Sequence, residues 1–187
     1  MFDVRRSMFF PTMPSLAKQL GETAPSSYLL RKARRLGVSG LDAFIELASI
    51  RGCDHYRPCS PRGVLDPGQE RLSDEELSIL LLLGENSHDP KAVRCAAQLA
   101  RSLRIKVGSL ADLAIRHKTT RVLSHIARAG NHHDPDGKEF WQALLSRLPS
   151  ASYPEPEVDL PHWSRFVSMP GIQRNGPAPI KWLVPTA

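Results

Sequence analysis

Apolar residues recur at the three- and four-residue spacing of amphipathic helices along most of the chain. The clearest case is the stretch 40–51, where apolar side chains share one helical face. Ser39 precedes it in the position of an N-cap, and Gly52 follows it. An earlier helix is predicted over 25–36, with a proline in its first turn and Gly37 just past its end.

Capping residues mark four further helix starts. Ser73 and the glutamate three residues later have the spacing of a capping box. Asp89 and Asp134 are each followed by proline, a residue suited to the first helical position. Ser109 is the expected cap of another helix. Together these starts predict helices through most of residues 73–148.

Two stretches lack helical spacing and divide the chain. Residues 53–72 hold prolines and glycines, which predicts a loop or linker. Residues 149–187 hold eight of the 16 prolines and are expected to be extended. The remaining parts are a small helical unit over 13–52 and a helical core over 73–148.

The two ends of the chain carry separate expectations. The pair Met1-Phe2 recurs as Met8-Phe9, a pattern typical of translated short-repeat DNA. The native start is then expected at Met8 or Met13, and residues 1–12 are not expected to pack. In the C-terminal tail, large aromatic side chains would be costly to leave in water, so we expect the tail to lie over the helices. These aromatic residues are Trp163, Phe166 and Trp182.

One helix-start motif occurs twice in the core. Residues 84–90 end in His-Asp-Pro, and residues 130–135 do the same 45 positions later. The apolar positions that match at this spacing are Leu77 with Val122, Leu81 with Ile126, Leu99 with Leu144, and Leu103 with Leu148. Two helices with a period of about 40–47 residues are typical of HEAT and armadillo repeats. The core resembles these repeats, which implies an array of helical pairs; an irregular helical bundle is the alternative.

Composition favours helices over sheets. Aromatic residues make up 6% of the chain, and Ala and Leu supply much of its apolar mass. With 41% hydrophobic and 24% charged residues, the predicted class is a globular all-α protein. The longest apolar run, residues 79–83, is too short for a membrane span, and no membrane partner is expected. Three cysteines without a dense pattern favour a cytoplasmic location, with Cys95 a buried thiol.

The net charge of +6 is concentrated in one stretch. Residues 101–128 contain seven basic residues and one acid, Asp112, so this stretch alone carries a charge equal to that of the chain. The basic residues are Arg101, Arg104, Lys106, Arg116, Lys118, Arg121 and Arg128. Such a concentration indicates either a phosphate-rich partner or a solvated helix face. No Phe, Tyr or Trp lies between residues 57 and 139, so stacking on bases from this stretch is excluded.

Residues 109–127 also resemble a helix-turn-helix. Leu113 and Ala114 would pack the first helix, and Lys118 stands near the usual glycine of the turn. The resemblance implies that polar residues of the second helix face a DNA groove. These residues are Thr119, Thr120, Arg121, Ser124 and His125.

Two groups contain metal-ligating residue types. The two His-Asp dipeptides resemble the His-Asp step of HD-domain phosphohydrolases, which implies a metal site at His88, His133 and Asp134. The proline after each aspartate favours N-capping instead. Cys53-Asp54-His55 and Cys59 contain three residues of zinc-ligand type, but neither the paired Cys-x-x-Cys spacing nor an obvious fourth ligand is present.

The sequence contains no catalytic or cofactor motif of the kinds that depend on a fixed spacing. Gly-x-Ser-x-Gly, a phosphate-binding glycine loop and His-Glu-x-x-His are all missing, so no enzyme activity and no cofactor are expected. A protein-interaction scaffold is the first functional expectation, because helical arrays present extended binding surfaces. DNA or RNA binding through 101–128 is the alternative, and a metal-dependent phosphohydrolase is the third hypothesis.

Overall fold

The computed structural model describes residues 28–53, 71–149, 162–167 and 181–185, and the backbone of a strand pair at 172–173 and 176–177. Seven α-helices dominate this described part, and the predicted all-α class is confirmed. They are α1 Tyr28–Arg35, α2 Leu41–Ile50, α3 Asp74–Leu81, α4 Pro90–Leu99, α5 Val107–Arg116, α6 Thr120–His133 and α7 Lys138–Arg147. Short 3-10 turns occupy Gly84–His88, Pro135–Gly137 and Trp163–Arg165, and β1 Ile172–Gln173 pairs antiparallel with β2 Gly176–Pro177.

Two of the predicted caps form as expected. At α3, the Ser73 hydroxyl accepts from the Glu76 amide at 3.2 Å, and the Glu76 carboxylate accepts from the Ser73 amide at 3.0 Å. This reciprocal pair is the predicted capping box. At α4, the Asp89 carboxylate accepts from the first two amides of the helix. Both predictions are confirmed. Such caps can be predicted from sequence because capping depends on residues within one helical turn.

Two other predicted helix starts are wrong, and a third is confirmed as a cap but on a different element. Gly40, at a φ of 86°, precedes α2, and no side chain caps that helix, so Ser39 does not act as its cap. The helix α5 begins before Ser109, because the Glu75 carboxylate holds the amide of Lys106 at 2.8 Å and fixes the start there. Asp134 is an N-cap followed by proline, as predicted, because its carboxylate accepts from the Gly137 amide; it caps a 3-10 turn, however, and α7 starts only after that turn.

The helices pack around one hydrophobic core with α3 at its centre. The helix α3 contacts α1, α2, α4 and α5, and seven of its eight residues are buried. The helix α5 contacts α3, α6 and α7, so it connects the two halves of the bundle. Apolar side chains of α1 and α2 belong to the same core. The described part of the expected unit 13–52 therefore shares its core with 73–148.

The two predicted repeat units both form packed helical pairs, α3 with α4 and α6 with α7. Seven of the eight matched apolar positions are buried. The exception is Leu103, which is 104% exposed because α4 ends at Leu99, whereas its counterpart Leu148 is 5% exposed. At this pair of positions the predicted repeat match does not extend to burial.

The described C-terminal residues lie on the helices. Phe166 and Trp182 are buried, and the Trp182 ring is 5.1 Å from Trp141 and 5.6 Å from Phe166 between centroids. The expected segment 1–12 and most of 53–72 lie outside the described residues. Within the described ranges, no helix has both the length and the apolar character needed to cross a bilayer.

Candidate functional site

Two clefts lie at opposite ends of helices α3 and α5, which run in the same direction. At one end, Glu75 in the first turn of α3 bonds the amide of Lys106, just before α5. At the other end, Leu82 and Gly84, which follow α3, line a cleft together with His117, which follows α5. Because α5 has ten residues, about 15 Å of helix separates the two ends.

The first cleft, of about 460 Å³, contains acids and cations together. Its lining residues are Ile50, Arg51, Leu72, Ser73, Asp74, Glu75 and Arg104, and we call it the ion-pair cleft. One Asp74 oxygen accepts from Arg51 at 2.7 Å; the other accepts from the Ser102 hydroxyl at 2.7 Å and lies 3.1 Å from the Arg104 Nε. The side chains of Arg51 and Asp74 are 5% and 3% exposed. These charges satisfy one another and hold the ends of α2, α3 and α4 together.

The second cleft, of about 220 Å³, has a different charge. Its lining residues are Leu82, Gly84, Ser87, His88, His117, Lys118, Thr119, Arg121 and Val122, and we call it the cationic cleft. No aspartate or glutamate occurs among these described lining residues. Lysine and arginine carry positive charge. The cleft therefore has the charge that an anion requires.

Lys118 is held in an unusual backbone conformation at the turn between α5 and α6. Its φ is 58°, and it is the one non-glycine residue with positive φ in the described part of the chain. This left-handed conformation costs a non-glycine residue roughly 1–2 kcal/mol. The turn is closed by the Thr119 amide, which donates to the Ala114 carbonyl at 3.0 Å. The sequence had placed Lys118 near the glycine position of a turn, without indicating that the lysine adopts the glycine conformation.

The N-terminus of α6 opens on the same cleft and lacks a side-chain cap. Thr119 stands at the N-cap position, yet its side chain accepts no hydrogen bond from the helix. The first backbone bond of α6 runs from the Leu123 amide to the Thr119 carbonyl at 3.1 Å. The amides of Thr120 and Val122 precede that bond, so they have no partner within the helix. Such amides, with the helix dipole, favour an anion.

His117 adds a group whose charge depends on pH. Burial lowers its pKa below the ordinary value of 6.5, and the neighbouring Arg116 guanidinium lowers the pKa further. His117 is therefore neutral at neutral pH. An anion bound in the cleft would favour the protonated ring and raise this pKa.

The structure separates the seven predicted basic residues. Lys118 and Arg121 line the cationic cleft, and Arg116 ends α5 two residues before Lys118. Arg104 and Lys106 lie at the opposite end of α5, by the ion-pair cleft. These five basic residues are therefore divided between the two ends of α5.

The two remaining basic residues lie on other elements. The Arg101 Nε donates to Asp134 at 2.7 Å, and the Arg101 side chain is only 19% exposed. Arg128 is exposed on α6. Arg101 is thus engaged within the bundle, whereas Arg128 remains accessible to a ligand.

Helices α5 and α6 are joined by a tight turn, but α6 does not present the face that a helix-turn-helix requires. Two of the residues predicted to face a groove, Thr119 and Ser124, are buried at 4% and 5% exposure. The His125 ring lies edge-on against Phe166 of the C-terminal segment, with 6.0 Å between centroids. The predicted groove-facing surface is therefore wrong, because the core and the tail cover most of α6.

The residues of the predicted phosphohydrolase site do not converge. His88 lines the cationic cleft at the N-terminus of α6, whereas His133 ends that 14-residue helix, about 20 Å away. The buried Asp134 carboxylate accepts from Arg101, from the Trp141 indole at 2.8 Å and from a turn amide. In the described ranges, no group of three His, Cys, Asp or Glu side chains is placed to hold a metal ion.

The predicted zinc ligands fall largely outside the described residues, which exclude Asp54, His55 and Cys59. Cys53 is buried, and its thiol donates to the Cys95 carbonyl at 3.7 Å. Cys95 is also buried, as predicted, and burial raises the pKa of its thiol to about 12. An un-ionised buried thiol has a packing role and little reactivity.

No family model matches the chain, and no curated protein or solved structure is significantly similar to it. Kinship with HEAT and armadillo repeats therefore stays a prediction.

Proposed function

We propose that the protein binds nucleic acid through the sugar–phosphate backbone, using cations at the α5–α6 end of the bundle. The observation that carries this proposal is the cationic cleft. Lys118, Arg121 and two histidines line it. Its described lining residues include no aspartate or glutamate. Arg116 adds an exposed cation just before the turn. Phosphate contacts supply most of the sequence-independent affinity of proteins for nucleic acid.

Contacts to phosphates fit this surface better than contacts to bases. No aromatic side chain lies between residues 57 and 139, so the basic stretch offers no stacking platform. The helix α6 is largely buried, which supports backbone contacts over insertion of α6 into a groove. Binding is then tolerant of sequence and strongly weakened by salt.

The test is fluorescence polarisation of labelled duplex DNA over a range of salt concentrations. The wild type is compared with a triple variant in which Arg116, Lys118 and Arg121 are changed to Ala. Each phosphate contact contributes about −0.9 to the slope of log K against log salt. Loss of three contacts should flatten that slope by about 3 and weaken binding at low salt.

A matched control removes the same charge elsewhere. Arg31, Arg34 and Arg35 are exposed on α1, and their change to Ala also lowers the net charge by three. This variant should keep most of the wild-type affinity and slope. Equal losses in both triple variants would mean that net charge alone attracts the DNA. Absence of binding by the wild type at low salt would reject the proposal.

A protein-interaction scaffold is the second candidate, favoured by the environment of Leu103. This leucine is fully exposed, whereas its repeat counterpart Leu148 is buried. A photo-crosslinking residue at position 103, with another at the exposed Lys138 as control, tests the idea in the native host. A single cross-linked protein obtained from position 103 alone would support the scaffold. Identical products from both positions would contradict it.

A further inference from the structure

We propose that the cationic cleft binds one phosphate group at the N-terminus of α6. The ligands would be the first amides of α6, the Thr119 hydroxyl and the side chains of Lys118 and Arg121. This inference rests on the proposed function and narrows it from a charged surface to one atomic site. A phosphate inside a nucleic-acid strand and a terminal phosphate share the required chemistry.

The Thr119 hydroxyl is the observation that distinguishes this cleft from a merely basic surface. Thr119 is 4% exposed and lines the cleft, yet its Oγ1 has no hydrogen-bond partner among the described residues. A buried hydroxyl without a partner is unfavourable, because it has lost its hydrogen bonds to water. A phosphate oxygen would accept from this hydroxyl and remove that cost.

The backbone supplies further donors at the same place. The amides of residues 120–122 precede the first hydrogen bond of α6, and the lining residues Arg121 and Val122 belong to this turn. Consecutive amides at a helix start bind phosphate oxygens and add the positive end of the helix dipole. The hydroxyl, the amides and two cations therefore offer donors to several oxygens of one phosphate.

The size of the cleft agrees with a small anion. Its volume of about 220 Å³ lies below the range of roughly 300–1,000 Å³ that is usual for larger organic ligands. Lys118 also keeps a strained φ of 58° where glycine would be relaxed, and such strain concentrates at binding sites. Lys118 thus places a cation at this turn at a conformational cost.

The first experiment is a titration with inorganic phosphate, followed by two-dimensional amide NMR of the full chain. Amide signals of residues 120–122 should shift and saturate, and chloride at matched ionic strength should not reproduce the shifts. Thr119→Val keeps the side-chain shape and removes only the hydroxyl, so phosphate affinity should fall about tenfold. Unchanged affinity in this folded variant, or equal shifts with chloride, would overturn the proposal.

Lys118→Gly provides a second variant that does not depend on the buried threonine. Glycine suits the positive φ of the turn, so folding should be preserved while one cation is lost. Phosphate should bind more weakly to Lys118→Gly, whereas Lys118→Arg should retain most of the affinity. If Lys118→Gly binds phosphate as the wild type does, the assignment of this side chain to the site fails.

Single-stranded oligonucleotides with and without a 5′ phosphate distinguish the two sources of the phosphate. A terminal phosphate would make the phosphorylated strand bind more tightly, and only that difference would disappear in Thr119→Val. An internal phosphate would make both strands equal and equally sensitive to the substitution. If DNA binding is lost in the triple cation variant but unaffected by Thr119→Val, the proposed function stands and this site is rejected.

Discussion

The ion-pair cleft and the cationic cleft lie at the two ends of the same helices, and both contain arginine. At the ion-pair cleft, Asp74 contacts Arg51 and Arg104, and the neighbouring Glu75 accepts from a backbone amide. Lys118 and Arg121 both line the cationic cleft, and its described lining residues include no acid. The difference shows that two clefts of one bundle can both contain basic residues while only one of them has acids among its described lining residues.

The charged residues of the two clefts are therefore expected to have different roles, in stability at one and in ligand binding at the other. Ion pairing at the first holds helix ends in place, so substitutions there should mainly change the free energy of unfolding. Cations at the second are expected to bind a ligand, so substitutions there should mainly change the affinity for that ligand. The predictions below test this separation between stability and binding.

The largest effect is expected at the buried ion pair. Asp74→Ala removes a carboxylate that lies 2.7 Å from the Arg51 guanidinium, in a pair whose side chains are only 5% and 3% exposed. Removing one partner of a buried pair costs roughly 3–5 kcal/mol. Urea unfolding followed by circular dichroism should show this loss.

A double variant supplies the control for that measurement. Changing Arg51 to Met and Asp74 to Leu removes both charges together, so it should destabilise less than Asp74→Ala does. If Asp74→Ala unfolds at the same urea concentration as the wild type, the ion-pair cleft does not stabilise the fold and the comparison fails.

The two clefts also show which contacts could be predicted from the sequence and which could not. The caps at Ser73 and Asp89 were predictable because donor and acceptor lie within three residues. The Arg51–Asp74 pair joins residues 23 apart, and the Lys106 amide reaches Glu75 across 31 residues. No local sequence pattern contains such contacts. The sequence analysis therefore predicted the basic residues of 101–128 as a single surface.

The cationic cleft was partly visible in the sequence. Lys118 and Arg121 were predicted as phosphate-binding residues, and Lys118 was placed near the glycine position of a turn. The hydroxyl of Thr119 was misassigned to a groove-facing surface, because burial of α6 depends on packing against α7 and the tail. His88 joins the cleft from a distant turn, whereas its recurrence with Asp-Pro had indicated a helix start and a metal-site hypothesis.

The next largest effect concerns Lys118, and stability and affinity should change in opposite directions. Lys118→Gly relieves the positive φ, so unfolding should require about 0.5–1 kcal/mol more free energy. The same change removes a cation and should weaken binding to duplex DNA. Urea unfolding and fluorescence polarisation on one preparation measure both. A variant that loses stability as well as affinity would contradict a purely ligand-directed role.

A smaller effect is expected from the pH dependence at His117. Because burial lowers its folded pKa, its contribution to stability is full above about pH 6.5 and is lost as the pH falls through the folded value. A bound phosphate should raise this pKa, so affinity for DNA should increase as the pH falls below about 6.5.

His117→Gln should remove part of that increase, and His88→Gln measures the contribution of the other histidine of the cleft. Both are compared with the wild type by polarisation at constant ionic strength. Parallel pH profiles for all three proteins would show that neither ring responds to the bound anion.

The smallest effect is expected at Arg104, which lies in the ion-pair cleft but remains in contact with water. Its Nε is 3.1 Å from the Asp74 carboxylate, yet its side chain is 68% exposed. Exposed ion pairs contribute about 0–1 kcal/mol, and Asp74 keeps Arg51 as a partner. Arg104→Ala should therefore shift the urea midpoint only slightly and leave the DNA salt slope nearly unchanged. A large drop in DNA affinity would place Arg104 on the ligand-binding surface, and the two ends would then share one function.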